Sequence, residues 1–273
     1  MRPNLATDPW MTGKPTFDGV SAILFSLGRS NTILIILPNM ESATLPFEAR
    51  WTSLTRAGGL SLIAAGVLVL VTIPLIPMLV PSLAPASTES GLLSIKTQAV
   101  LYGITWGLYL VSDLLFVVAF LGLFALLRRT NAAAALIATI FTVMFVTIDV
   151  GIDIPLRLAL IGLGNSYASA TSAPQQAAYV ATAQLTMDMA NLTAIVATFL
   201  QFFAVILVSV PMLRDPRFGR RSAYVGIAGG ILGLLFIPTF ALGSQLSGLF
   251  NIGGFILLVI WSLLVGVVLY RRP

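Results

Sequence analysis

Ten acidic and fifteen basic side chains are the only ionisable chemistry of a 273-residue chain, apart from its tyrosines; cysteine and histidine are absent. Thiol nucleophiles, disulfides, thiolate or imidazole metal sites and the commonest general base therefore drop out at once. What remains is carboxyl chemistry, and it falls in apolar surroundings. FVTIDVGIDIPLRLALIG, residues 145–162, sets Asp149 and Asp153 four apart, with Arg157 four further on. Asp113 follows Trp106 and Tyr109 at helical spacing, and Asp188 precedes Asn191 by three. Thr142, Thr147, Thr186 and Thr193 lie nearby in sequence. Carboxyls inside an apolar segment must face a protein interior, pair with a donor or carry a proton. Asp113, Tyr109, Asp149, Asp188 and Asn191 are thus the candidates for a proton or solute site. No cofactor or metal is expected.

The segments around them belong to a membrane. The chain is 58% hydrophobic and 9% charged, with a mean hydropathy of +0.98. A soluble domain carries about 25% charge. A crossing helix needs roughly 20 apolar residues, and six candidates meet that need: 58–81, 98–127, 132–154, 183–212, and two sharing the uncharged stretch 222–270. As one helix that last stretch would be about 73 Å long, so a turn is expected at GSQLSG, 243–248.

Basic residues recur in every second loop: Arg50 and Arg56, then Arg128 and Arg129, then Arg214 to Arg221, then Arg271 and Arg272. By the positive-inside rule both termini are cytoplasmic. The expected fold is an all-α polytopic membrane protein of six transmembrane helices, residues 51–273, after an N-terminal tail, 1–50. In that tail VSAILFSLG and TILIILP are too short to span. An interfacial segment, a mobile tail and a translation start at Met40 all fit. The charge of +5 is too dispersed for nucleic acid.

Counting 1.5 Å per residue from the arginines puts Asp149 near the outer edge of the hydrocarbon, Asp188 close to its level, and Asp113 deepest. Pro155 then predicts a helix end, with Asp149, Asp153 and Arg157 at the water interface. Pro74, Pro77 and Pro81 predict a kink or stop late in the first helix. The polar segment 158–182 is expected to be a loop or re-entrant cover. Gly226 with Gly230, and Gly229 with Gly233, suit close helix approach, either within the chain or to a second subunit.

Several activities fail on residue type. An intramembrane aspartyl protease needs tyrosine–aspartate and glycine-x-glycine-aspartate motifs, where this chain has YLVSD at 109–113 and GID at 151–153. A serine–histidine protease lacks its histidine, and a retinal protein would need a mid-helix lysine other than Lys14 or Lys96. LTRAGGLSLIAAG (54–66), YLVSDLLFVVAFLGLFALLRR (109–129) and AYVGIAGGILGLL (223–235), with the basic C-terminus, resemble an uncharacterised bacterial family of six-helix membrane proteins. That resemblance covers about residues 50–272 and implies the architecture and a bacterial plasma membrane. The sequence favours a non-enzymatic structural or accessory membrane protein in contact with lipid and with a membrane partner or second copy. The alternative is a small-solute or proton-coupled transporter using the outer-half aspartates.

Overall fold

A computed structural model of the chain describes residues 16–17, 20–27, 31–38, 47–79 and 89–271, with side chains for 51–75 and 89–271. Two compact units result, Met1–Ala49 and Arg50–Pro273. In the first, β1 (Thr16–Phe17), β2 (Val20–Leu27) and β3 (Asn31–Pro38) form an antiparallel sheet in chain order. Ile23 pairs with Ile35 and Leu24 with Leu34. The two short apolar runs of the tail are thus partners of each other. Met40 lies outside the described residues.

The second unit is helical: α1 (Phe47–Leu79), α2 (Glu89–Thr97), α3 (Ala99–Ile148), a π-turn at Asp149–Asp153, α4 (Ile154–Ser169), α5 (Ala173–Met212), α6 (Arg220–Ala241) and α7 (Leu246–Arg271). Five apolar stretches are long enough to cross a membrane, and one of them, Ala99–Ser169, has 71 residues. At about 1.5 Å each this stretch would exceed 100 Å, several times a bilayer core. It turns back at Asn131, whose φ of −159° and ψ of 90° are not helical. The Asn131 side-chain oxygen accepts the Ala134 N–H at 3.1 Å, as an N-cap does. The halves run side by side, with the Thr139 hydroxyl donating to the Phe120 carbonyl at 3.3 Å. The unit is an all-α, polytopic membrane protein with five to six long apolar helices.

Helix α1 runs through Pro74 and Pro77 to Leu79, within the stretch where a kink or stop was expected; Pro81 lies outside the described residues. Helices α6 and α7 turn through Gly243, at φ +63°. Its N–H donates to the Phe240 carbonyl and the Ser244 N–H to the Thr239 carbonyl, both at 2.9 Å. This is a Schellman closure, which requires a left-handed residue that glycine supplies without a Cβ clash.

Arg128 and Arg217 meet α1 and α3, respectively, at one end of the bundle. Arg128 lies 3.9 Å over the Trp51 ring. Arg217 bonds the Leu126 carbonyl at 2.8 Å and Asp215 at 2.6 Å, while Thr130 donates to Asp215 at 2.9 Å. Between the ends lies a core that includes Leu62, Phe116, Phe120, Phe202, Trp261 and Val265. Its helices approach closely because their contacts are glycine. A Cβ on Gly58 would sit 2.8 Å from the Gly122 Cα, and one on Gly233 would enter the Phe202 ring. Gly226, Gly229, Gly230 and Gly233 are all buried against α5 and α7. These small residues are occupied by the chain's own helices.

Helix α5, with 40 residues, is about 60 Å long and overshoots a hydrocarbon core of about 30 Å. Its first half pairs with α4 beyond the end away from the arginines, over a second core of Leu92, Ile95, Tyr102, Trp106, Ile154, Leu160 and Met187. The segment expected to be a loop is therefore a helical hairpin, open only between Ser169 and Ala173.

Candidate functional site

Pro155 has no N–H to offer Gly151 four residues back, and its ring would crowd that carbonyl. The backbone answers with a wider turn: the Ile154 N–H reaches the Asp149 carbonyl, five residues back. A π-turn absorbs the proline without ending the helix. The expected helix end at Pro155 is thereby corrected, and so is the expected wet interface. Asp149, Asp153 and Arg157 are 8%, 3% and 8% exposed. Arg157 donates from Nε to both Asp153 carboxylate oxygens, at 3.1 and 2.8 Å. Its guanidinium lies 4.7 Å from the Trp106 ring centre, and one terminal nitrogen approaches the Met187 sulfur at 3.9 Å.

Beside this ion pair is a partly enclosed cavity of about 230 Å³. Asp113, Trp106 and Tyr109 of α3 face it, with Asp149 and Asp153 of the π-turn and Arg157 of α4. Asn191, Thr198 and Gln201 of α5 close one side, Phe236 and Phe240 of α6 another, and Asn251 and Phe255 of α7 a third. Asp113 and Asp149 stand within side-chain interaction range of each other. Asp113 is 2% exposed and its Oδ2 has no hydrogen-bond partner; nor has Oδ1 of Asn251.

Four of the five candidates thus share one cavity: Asp113, Tyr109, Asp149 and Asn191. Asp188 does not reach it and is exposed on α5. Counted from Met212, it lies about 36 Å up the helix, beyond the hydrocarbon. The expected depth difference between Asp113 and Asp149 is also corrected. Counting from the arginines misplaces the origin; Asn131 is the turn, and the two aspartates lie 18 residues on either side of it. Thr142, Thr147, Thr186 and Thr193 donate to carbonyls of their own helices.

Gln201 and Asn251 escaped the sequence reading. Their signal was a lone amide inside an apolar run, in FLQFF and LFNIG. Among the described residues no group of three acidic side chains is placed to hold a metal ion. Two carboxyls in range of each other can share a proton or hold a cation. No family model, curated protein or solved structure matches this chain.

Proposed function

We propose that the protein is a small-solute, proton-coupled transporter of the membrane, with Asp113 and Asp149 as its exchange site. The supporting observation is the buried, unpartnered Asp113 Oδ2 in the wall of a cavity that helices from both ends of the chain enclose. A carboxylate oxygen buried without a donor is costly unless the group holds a proton or a ligand. Asp149 is its acidic neighbour, Asp153 is occupied by Arg157, and Tyr109 adds a hydroxyl-bearing side chain from α3 to the same wall. Against an accessory role, the glycines of α6 that could have met a partner are covered internally.

In this reading α3 crosses twice, giving six crossings. The arginine-rich end is cytoplasmic, with both termini, and the cavity opens in the outer half of the bilayer. A bacterial plasma membrane is the setting that the resemblance to the six-helix family would imply.

Infrared difference spectra of the protein in lipid test the site. A protonated carboxyl band at neutral pH, lost in D113N and shifted by an imposed proton gradient, is expected. A D113N-sensitive band that appears only near pH 4, the ordinary carboxylate range, and ignores the gradient would sink Asp113 as a coupling residue.

A further inference from the structure

The charges lining the cavity are unequal in a way that selects a ligand. Three carboxyls face one guanidinium, and Arg157 is already held on Asp153 and against Trp106. Asp113 and Asp149 have no cation of their own among the described residues. Aromatic rings, among them Tyr109, Phe145, Phe240 and Phe255, line much of the remaining wall, together with the neutral amides of Asn191, Gln201 and Asn251. Aromatic faces attract a cation that has left water, and carboxylates bind one directly. An anion would meet the carboxyl pair, with Arg157 turned to Asp153. A neutral solute would leave a carboxylate unpaired. The volume of about 230 Å³ falls below the usual 300–1,000 Å³ of drug-sized sites.

We infer that the cavity binds a small organic ammonium ion, which takes the place of a proton held between Asp113 and Asp149. The inference rests on the exchange site proposed above and names its substrate class. Two facing carboxyls cannot both ionise cheaply, so without a ligand the pair keeps one proton and one negative charge. An arriving R–NH₃⁺ forms hydrogen bonds to both carboxylates, and the proton leaves to water. No covalent bond to carbon changes, and the cavity's total charge is the same before and after. Exchange of one ammonium for one proton is therefore electroneutral. The Oδ2 of Asp113 and the Oδ1 of Asn251, both lacking partners, are acceptors suited to the N–H donors.

Calorimetry on the whole protein in lipid nanodiscs tests this, with benzylammonium, benzyl alcohol and benzoate as probes of matched shape. Benzylammonium is expected to bind saturably, releasing about one proton per ligand when two buffers of different ionisation enthalpy are compared. D113N is expected to weaken it at least tenfold, about 1.4 kcal/mol. Ala194→Leu, which narrows the cavity without altering charge, gives a second route to the same loss. Saturable, D113N-sensitive binding of benzyl alcohol or benzoate in preference to the amine would overturn the substrate class and leave the exchange site standing. Amine binding with no proton released, or equal in D113N and wild type, overturns the inference. So does a lack of binding by all three probes; the infrared response to a proton gradient then decides the exchange site separately.

Discussion

Arg157 lays its guanidinium 4.7 Å from the Trp106 ring centre while its Nε holds both oxygens of Asp153. The contact joins the start of α4 to the start of α3, and it lies in the wall of the cavity. A buried ion pair adds little net stability when measured against an apolar replacement, yet losing one partner strands the other. Arg157→Met alone is expected to cost about 3–5 kcal/mol. Adding Asp153→Leu should return much of that loss, and unfolding in mixed micelles across the double-mutant cycle measures it. Additive losses would mean that Arg157 stabilises through Trp106 and Met187 instead.

The glycines divide by what surrounds them. A Cβ at Gly233 would enter the Phe202 ring, whereas one at Gly162 meets nothing within 4 Å. Gly233→Ala should destabilise by about 1–3 kcal/mol through overpacking. Gly162→Ala should stabilise α4 by up to about 1 kcal/mol. Melting temperatures of the two variants are expected to move in opposite directions.

Asn131 turns α3 back on itself, and its side-chain oxygen accepts the Ala134 N–H there. Asn131→Ala should cost about 1 kcal/mol, while Asn131→Asp should keep the cap. Hydrogen exchange of the amides at 132–135 reports the difference. Equal protection in all three proteins would show that packing alone sets the turn.

Asp215 lies in the loop between α5 and α6, outside the spans. Its bonds from the Arg217 side chain, with further ones from the Arg217 backbone and Thr130, hold its carboxyl below the usual carboxylate value. A lowered folded-state value means the contribution is complete above the unfolded value, about 4. It is lost as pH falls through the folded one. Wild-type stability should therefore drop below pH 4. D215N should begin about 2 kcal/mol lower, having lost a charge-assisted bond, and should show a smaller drop. A denaturation series from pH 7 to pH 2 compares them; parallel curves would assign the acid sensitivity to other groups.

Some of this was legible from spacing alone. Trp106, Tyr109 and Asp113 share a face because three and four residues nearly complete a helical turn, and the structure keeps them on one cavity. The basic loops marked the turns because arginine stays out of hydrocarbon. The fate of Pro155 was not legible: a proline signals a break, and whether the backbone ends or widens depends on what packs beyond it. Here Ile154 and Leu160 are fully buried in the second core with Leu92, Ile95 and Trp106, which rewards continuation. Residues 173–182 looked like a loop because alanine, threonine and glutamine give no apolar stripe. Alanine is nevertheless the strongest helix former, and Ser172 with Pro174 marks a helix start. The meeting of Asp113 with Asp149 required the exact turning point, and a three-residue error in its position would hide it.

The π-turn at Asp149–Asp153 has a genetic consequence. It holds one residue more than an α-helix needs over the same rise, so its geometry depends on an insertion. Because the extra residue is taken up locally, the helix faces before and after it stay in register. Were the turn to close to ordinary winding with that residue still present, Asp153 and Arg157 would rotate by about 100° relative to Asp149. Arg157 would then swing off the cavity wall, with the composition of the span unchanged. One codon more, taken up as a wide turn beside Pro155, sets which charges face one another.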